Sequence, residues 1–468
     1  MNRFQDQVIV AQCTPIGSGA LAIIRLSGED AFLIADFFSK LASSKKISEC
    51  DSHTVHFGYV VTDSKNIDQV MFIIMKSPRT FTGENVLEIT CHNNQFIIEE
   101  IINIAIKNGA RLAQNGEFAR RAFLNNKIDL VQAESINELI HSTNQQSLKK
   151  SLSQLEGSFS GWIINLEKEL LSCLALSEAS FEFLDDEIEF KDNILEKIRN
   201  ILKKIKELKL YTNDYNHIRE GVRIAILGSV NSGKSSLFNV LIKKDRAIVT
   251  AIKGTTRDTI EAGVYKKDSF VTFVDTAGIR HAKDIVEKEG IKRSFLEAEK
   301  ADIILLVFDS STKMAKTEAN IYNDLISKFK NKIILIGNKS DIKSYDPVIL
   351  PACRSLGEDW SELCESKGDI STKTNSGILK LEQEIDNKIQ EILKNYDSPF
   401  ILNKRQYSLL IDLENKLYLI EDLFESSLEY EILSIHLKEA LESISHLSGR
   451  NISEAAMDAV FKEFCVGK

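Results

Sequence analysis

The stretch GSVNSGKS, Gly228 to Ser235, sets two glycines and a lysine at the spacing G-x-x-x-x-G-K-S. That spacing suits a phosphate chain. The glycines let backbone N–H groups close around phosphate oxygens, Lys234 brings a point charge to the β- and γ-phosphates, and the Ser235 hydroxyl suits Mg²⁺. Asn231, Ser232, Gly233 and Ser236 belong to the same nucleotide-contacting stretch. Such a motif works only between a strand and a helix; here VRIAIL precedes it and SSLFNVLIK follows it.

Three further segments follow in the order a guanine-nucleotide site requires. GTTRD supplies Thr255 and Thr256, either of which can reach Mg²⁺ from a switch loop. DTAG, comprising Asp275, Thr276, Ala277 and Gly278, ends the apolar run FVTFVD. Its aspartate suits a water-mediated contact to the metal, and its glycine leaves an N–H for the γ-phosphate. NKSD brings Asn338, Lys339 and Asp341. A carboxylate at Asp341 accepts from guanine N1–H and the 2-amino group, donors that adenine lacks there, and a site of this kind discriminates by roughly 10⁴ or more. STK, Ser371, Thr372 and Lys373, is the expected last guanine loop. After DTAG stands Ile279, where a Ras-like enzyme carries a water-orienting glutamine. Isoleucine cannot orient water, and assisted hydrolysis exceeds unaided by as much as about 10⁵, or roughly 7 kcal/mol. The missing part must come from elsewhere in the chain or from a partner.

These segments need a sheet to hold them. Between residues 218 and 385, VRIAILG, SFVTFVD, DIILLVFD, KIILIGNK and GDIS alternate with helical segments, which predicts a mostly parallel sheet covered on both faces. Residues 1–124 mix strand-like runs (VIVAQ, ALAIIRLSG, VHFGYVV, VMFIIM, VLEITC) with one helical run ending near Gly109, an α+β domain. The spans 125–217 and 386–468 are helical. Leu148, Leu152, Leu155, Phe159, Ile163, Leu166, Leu170 and Leu174 form one apolar stripe; Leu410, Leu413, Leu417, Ile420 and Phe424 form another, and each is expected to cover the other. The expected architecture is multidomain α/β plus α, an α/β domain inserted into a helical one.

The 468 residues carry a net charge of −9, which argues against attraction of nucleic acid over the whole surface and leaves a local basic patch open. No apolar run approaches the roughly 18 residues that span a bilayer, and MNRFQDQVIVAQ lacks a secretory pattern. No membrane association and a cytoplasmic location are expected. The seven cysteines form no C-x-x-C pair, so a zinc site is not expected, and Cys353 and Cys364 read as ordinary thiols.

The inserted nucleotide domain, GTTRD, DTAGIR and the terminal FCVGK together resemble the MnmE (TrmE) family of tRNA-modification GTPases, within the TrmE-Era-EngA-like group. FTGENVLEITCH and NGEFARRAFLNNKIDLVQAE extend the resemblance over the whole chain. It implies an N-terminal folate-binding and dimerisation domain, a helical domain in two segments and an inserted Ras-like G domain. It further implies a homodimer that works on tRNA with the flavoprotein MnmG, as a heterotetramer with FAD on the partner. The implied reaction adds an aminomethyl or carboxymethylaminomethyl group to C5 of the wobble uridine. It uses GTP and a tetrahydrofolate one-carbon unit, with the folate bound as a 5-formyl or 5,10-methylene derivative.

The resemblance also implies what replaces the glutamine. K⁺ would lie at Asn231, Thr250, the Ile252 carbonyl and Thr255, neutralising charge between the β- and γ-phosphates and promoting pairing of G domains. Glu287 matches the family's water-orienting glutamate and Arg280 a switch arginine. Arg25, Glu88, Lys127 and the terminal Lys468 match its folate positions, with Glu88 reading the pterin's amino edge and Cys465 near the one-carbon unit. The tail would then reach back to the first domain. As a prenylation signal CVGK is poor, because lysine is not a usual last residue and no polybasic run precedes it.

Three positions depart from the family pattern. HNN, His92 to Asn94, stands for HGG and puts the pocket rim in question; Val230 replaces a P-loop proline; Lys253 adds a cation to the K⁺ loop. Two rival readings share part of this pattern. A ribosome-assembly switch of the Era/EngA type shares the nucleotide motifs but lacks the N-terminal domain and the terminal CxGK. A lipid-anchored switch shares only the nucleotide motifs and a cysteine near the end.

Overall fold

The computed structural model describes residues 7–62, 65–180, 187–210, 221–244, 260–266, 269–275, 294–312, 314, 316–342, 368–394, 398–424 and 430–467. The chain divides into two compact units: residues 1–140, 152–205 and 404–468 form one, residues 141–151 and 206–403 the other.

The first unit holds a seven-stranded sheet in the order β3-β4-β5-β6-β2-β1-β7. Its strands are β1 (Ile9–Gln12), β2 (Leu21–Ser27), β3 (Ser39–Leu41), β4 (Thr54–Thr62), β5 (Lys65–Met75), β6 (Val86–His92) and β7 (Arg111–Leu112). Helices α1 (Ala31–Asp36) and α2 (Gln95–Lys107) pack against it. The alternation of strand side chains fixes what each face does. On β2, Ala22, Ile24 and Leu26 enter the core; Arg25 points to the opposite face, directly across from Glu88 on β6. Short β3 and β7 were not legible as strands.

Helices α3 (Glu117–Leu124), α4 (Leu130–His141), α5 (Gln145–Leu155), α6 (Ser158–Ala179) and α7 (Glu187–Leu210) follow. The expected single stripe from Leu148 onward is broken. Gly157, at φ 98°, separates α5 from α6, so Phe159, Ile163, Leu166 and Leu170 stay buried while Leu148 and Leu152 are each 46% exposed. The late stripe lies on α11, named below. The two stripes do not simply cover one another: α6 and α11 both pack against a third helix, α12.

The second unit carries a six-stranded sheet in the order β13-β12-β11-β8-β10-β9. The strands are β8 (Val222–Gly228), β9 (Ile260–Lys266), β10 (Ser269–Asp275), β11 (Ile303–Asp309), β12 (Ile333–Asn338) and β13 (Gly368–Asp369). All pairs are parallel except β9 with β10. The antiparallel β9 lies within no run read as a strand. Its sequence, IEAGVYK, mixes charge and glycine, as suits an edge. Central strands are apolar on both sides: Ile224 and Ile226 join one core, Ala225 and Leu227 the other. Helices α8 (Lys234–Lys244), α9 (Lys316–Phe329) and α10 (Ile378–Lys394) belong here. Helix α10 buries Ile378, Leu381, Ile385 and Ile389 in the sheet core and continues past residue 385. Residues of the α4–α5 connection also join this unit: the Phe270 N–H donates to the Thr143 carbonyl at 2.7 Å, and Asn144 bridges Ser269. Asn144 then caps α5 through the Ser147 N–H at 2.7 Å.

The chain returns to the first unit through α11 (Lys404–Leu423), α12 (Tyr430–Ser448) and α13 (Glu454–Lys462). Leu410, Leu413, Leu417, Ile420 and Phe424 are all buried, as the periodicity predicts. Arg405 grips both Glu134 oxygens at 2.7 and 2.8 Å and donates to the His446 carbonyl at 2.9 Å, tying α4, α11 and α12 together. Among the described residues no helix is long and apolar enough to cross a membrane.

Glu117, at the start of α3, is buried between Arg111 and Arg121, and Arg121 reaches Glu84 at 3.0 Å. Burial opposes its charge, but Arg111, the Gln114 N–H and Arg121 together hold its pKa below the usual carboxylate value. A carboxylate lowered in the folded state stabilises above its unfolded pKa, and that stabilisation is lost as pH falls through the folded pKa. Glu117→Gln therefore destabilises the chain at pH 7 by about 2 kcal/mol, the worth of a charge-assisted hydrogen bond. The gap closes as pH drops below about 4. Thermal unfolding of both forms from pH 7 to 3 checks this; a gap independent of pH contradicts it.

Candidate functional site

Among the described residues, the nucleotide motifs lie at the C-terminal ends of β8, β10, β12 and β13, where a doubly wound sheet leaves its crevice. Backbone approach there is close. A Cβ on Gly228 would meet the Val307 carbonyl oxygen at 2.0 Å, and one on Gly233 would meet Asn338 Nδ2 at 2.1 Å. Only glycine fits either position, and the resulting bare backbone is what a phosphate cradle needs. Asn231 adopts φ 64° in the same loop and is exposed, as are Ser235 and Ser236 at the start of α8. Val230 is 87% exposed, so the proline it replaces would make no packing contact either.

Lys234 is buried, and its Nζ donates to the carbonyls of Gly228 at 2.9 Å and Ser229 at 2.6 Å. Burial lowers its pKa, opposed by the charges of Asp275 and Glu318. Ser232 Oγ also donates to the Ser229 carbonyl, at 3.0 Å. Asp275, at the end of β10, is buried.

Asn338 joins the loops. Its Nδ2 donates to the Ser232 carbonyl at 2.9 Å and its Oδ1 accepts from the Thr372 N–H at 3.2 Å. Lys339, at φ 68°, pairs with Asp309 at the end of β11. Burial works against the Asp309 charge, but Lys339 and Ser311 hold its pKa below the usual value. Asp341 is exposed, and its Oδ1 accepts from Ser371 Oγ at 2.7 Å. Lys373 is exposed in the same turn. The carboxylate expected to read guanine is thus oriented by the loop expected to flank it. Asp309 and Tyr322, whose hydroxyl binds the Ser229 N–H, were not singled out from sequence. Nothing local marks them, because each contact joins residues remote in the chain.

Thr250, Ile252, Lys253, Thr255, Thr256, Thr276, Ala277, Gly278, Ile279, Arg280 and Glu287 lie outside the described residues, as do Cys353, Cys364 and Lys468. Among the described residues no group of three or more His, Cys, Asp or Glu side chains is placed to hold a metal.

A second constellation lies in the first unit. Arg25 Nε donates to Glu88 Oε1 at 2.8 Å, and the guanidinium stacks over Phe118 at 5.5 Å. The C-terminal tail crosses the same place. The Gly116 N–H donates to the Cys465 carbonyl at 3.3 Å, Asn115 bridges Val466, and the Gly467 carbonyl accepts from Arg25 at 3.4 Å and from Cys13 Sγ at 3.2 Å. Gly467, at φ 92°, packs so tightly that a Cβ would meet the Gln12 carbonyl oxygen at 2.6 Å. That contact supplies a reason for glycine in CVGK.

The Cys465 side chain is exposed, whereas burial pushes the Cys91 thiol up to about 11 and Cys173 to about 12. Lys127 is not gathered with Arg25 and Glu88. It is exposed and lines a cleft of about 550 Å³ whose walls include Phe123, Ile163 and Arg450 but neither of those two residues. The HNN segment keeps its rim without positive φ. His92 pairs with Asp68 at 2.7 Å, Asn93 donates to the Gly17 carbonyl at 2.8 Å, and Asn94, at φ −119°, caps α2. The asparagine side chains bond the turn directly.

Comparison with known proteins extends this picture along the chain. Residues 8–127 match the family described as GTP-binding protein TrmE N-terminus, and residues 130–465 match that described as MnmE helical domain. The tRNA modification GTPase MnmE of Lachnoclostridium phytofermentans is 36% identical over 99% of this chain and 100% of its own. That of Fervidobacterium nodosum is 37% identical over 98% and 97%, and that of Flavobacterium johnsoniae 33% over 98% and 99%. Likeness of this extent runs through both units, and the chain therefore belongs to the MnmE family of tRNA-modification GTPases.

Proposed function

We propose that this GTPase, working as a homodimer with the flavoprotein MnmG, installs an aminomethyl or carboxymethylaminomethyl group on C5 of the wobble uridine of certain tRNAs. A tetrahydrofolate one-carbon unit supplies the methylene carbon. The domain limits in this reading are 1–124, 125–217, 218–385 and 386–468. The observation that carries it is the docking of the C-terminal tail on β2, where the Gly467 carbonyl meets Arg25 beside Glu88.

The nucleotide half rests on the glycine cradle and the oriented Asp341. Ser235 and Thr256 would hold Mg²⁺, which supplies charge neutralisation when bound. Asn231, Thr250, the Ile252 carbonyl and Thr255 would hold K⁺. Glu287 would orient the attacking water that Ile279 cannot, and Arg280 would serve the switch. In the folate half, Glu88 would accept from the pterin's amino edge, and Arg25 and Lys468 would meet its anionic end. Cys465 would lie near the transferred carbon. Lys127, on another cleft, fits this set least well.

The decisive experiment is nucleoside analysis of tRNA from cells lacking this protein. Loss of the C5 modification at the wobble uridine is expected; an unchanged nucleoside profile overturns the reading.

Two further outcomes follow from the nucleotide half. Asp341→Asn replaces an acceptor pair by one donor and one acceptor, so GTP loses a matched contact while xanthosine triphosphate gains one. A preference for xanthosine over guanosine triphosphate of at least about tenfold is expected in competition binding, from the worth of one well-matched hydrogen bond. Lys253 brings a second cation to the K⁺ loop, so hydrolysis should depend less on K⁺ over Na⁺ than in relatives without that lysine. Steady-state GTPase rates in the two salts decide, and Lys253→Ala should increase the dependence.

A further inference from the structure

The loop that cradles phosphate is gripped from behind by a residue outside every nucleotide motif. Tyr322, on α9, is buried, and its hydroxyl makes two hydrogen bonds. It accepts from the Ser229 N–H at 2.9 Å and donates to the Val307 carbonyl at 2.7 Å. We propose that Tyr322 is a positioning residue for GTP: it sets the plane of the peptide between Gly228 and Ser229, and through it the place of Lys234.

The argument starts from peptide planarity. In a trans peptide the N–H and the preceding C=O point in opposite directions. Fixing the Ser229 N–H on the Tyr322 side aims the Gly228 carbonyl at the other side, where it accepts from Lys234 Nζ. The next carbonyl, of Ser229, takes both Lys234 Nζ and Ser232 Oγ. One hydroxyl therefore orients the first peptide of a loop whose next two carbonyl contacts hold the phosphate-binding lysine.

The arrangement leaves no slack. Gly228 sits against the Val307 carbonyl that Tyr322 also holds, and a Cβ there would meet it at 2.0 Å. Without the hydroxyl the Ser229 N–H loses its partner, and a part-buried donor left unpaired favours rotation of the peptide toward water. That rotation would carry the Gly228 carbonyl, and with it Lys234, off the phosphate. Burial pushes the Tyr322 hydroxyl pKa up to about 12, so it keeps its proton at neutral pH.

Lys234, whose place the Tyr322 hydroxyl sets, serves the β- and γ-phosphates, whereas the cradle's backbone donors reach the α- and β-phosphates and neither serves the base. Tyr322→Phe keeps the ring in its packing and removes only the oxygen. In the full-length chain it should weaken GDP and GTP binding by about fivefold to tenfold, the range of one hydrogen bond. GMP, which lacks the phosphates that Lys234 reaches, should lose less affinity than GDP or GTP, and the KM for GTP should rise more than kcat falls. A role confined to folding would shift the melting temperature and weaken all three nucleotides alike, or none; either result overturns the proposal. Should the variant fail to fold, exchange of the Ser229 amide hydrogen in the unaltered chain decides. Protection supports the grip, and free exchange with solvent refutes it. GDP binding by the unaltered chain tests the cradle separately, so the two failures are distinguishable.

Discussion

Glu134 and Arg405 stand 271 positions apart, and their two-pronged ion pair closes the helical domain across everything inserted between them. A domain split by an insertion must bring its halves back together, and the entropic cost of closing so long a loop must be offset by contacts among the returning helices. Arg405 does more than pair. It also takes the His446 and Leu447 carbonyls near the end of α12, and Gln406 adds a bond to Glu134 at 2.6 Å. The guanidinium therefore caps the last carbonyls of α12, which ends before Gly449, φ 82°, with the Arg450 N–H returning to the Ser445 carbonyl at 3.0 Å. Placement of the last residues on β2 depends on this junction.

The tail arrives at an ion pair that is already satisfied. Arg25 shares its guanidinium among Glu88, the ring of Phe118 and the Gly467 carbonyl. The two charged residues are cross-strand neighbours on the face away from the core. Any ligand recognised by Glu88 must compete with Arg25 for it. Selectivity then goes to a ligand that offers Glu88 two donors at once while giving Arg25 an anion in exchange.

Local spacing made the nucleotide motifs legible, because the cradle, Asp275 and Asn338 to Asp341 each sit at a strand end that the apolar runs mark. The same logic revealed the late stripe on α11. Contacts between remote residues were not legible. Ser229 and Tyr322 are 93 positions apart, and Asn94 and its neighbours could be judged only once their backbone angles were known. The early stripe failed for a local reason that periodicity does not encode: Gly157 interrupts the helix, and the residues before it face elsewhere. Lys127 is legible by matching alone, and the cleft it lines, between Phe123, Ile163 and Arg450, joins residues remote in the chain.

The pairing of Thr143 and Asn144 with Phe270 and Ser269 makes the nucleotide-binding fold discontinuous in sequence. Below the first residue of β8, the hydrogen-bonding lane beside β10 is filled by a strand fragment from upstream of the insertion. A recombinant fragment starting at residue 218 would leave the Phe270 N–H facing solvent and open a short sheet edge to other molecules. Biophysical work on an isolated G domain would thus describe a sheet with a vacancy at its base.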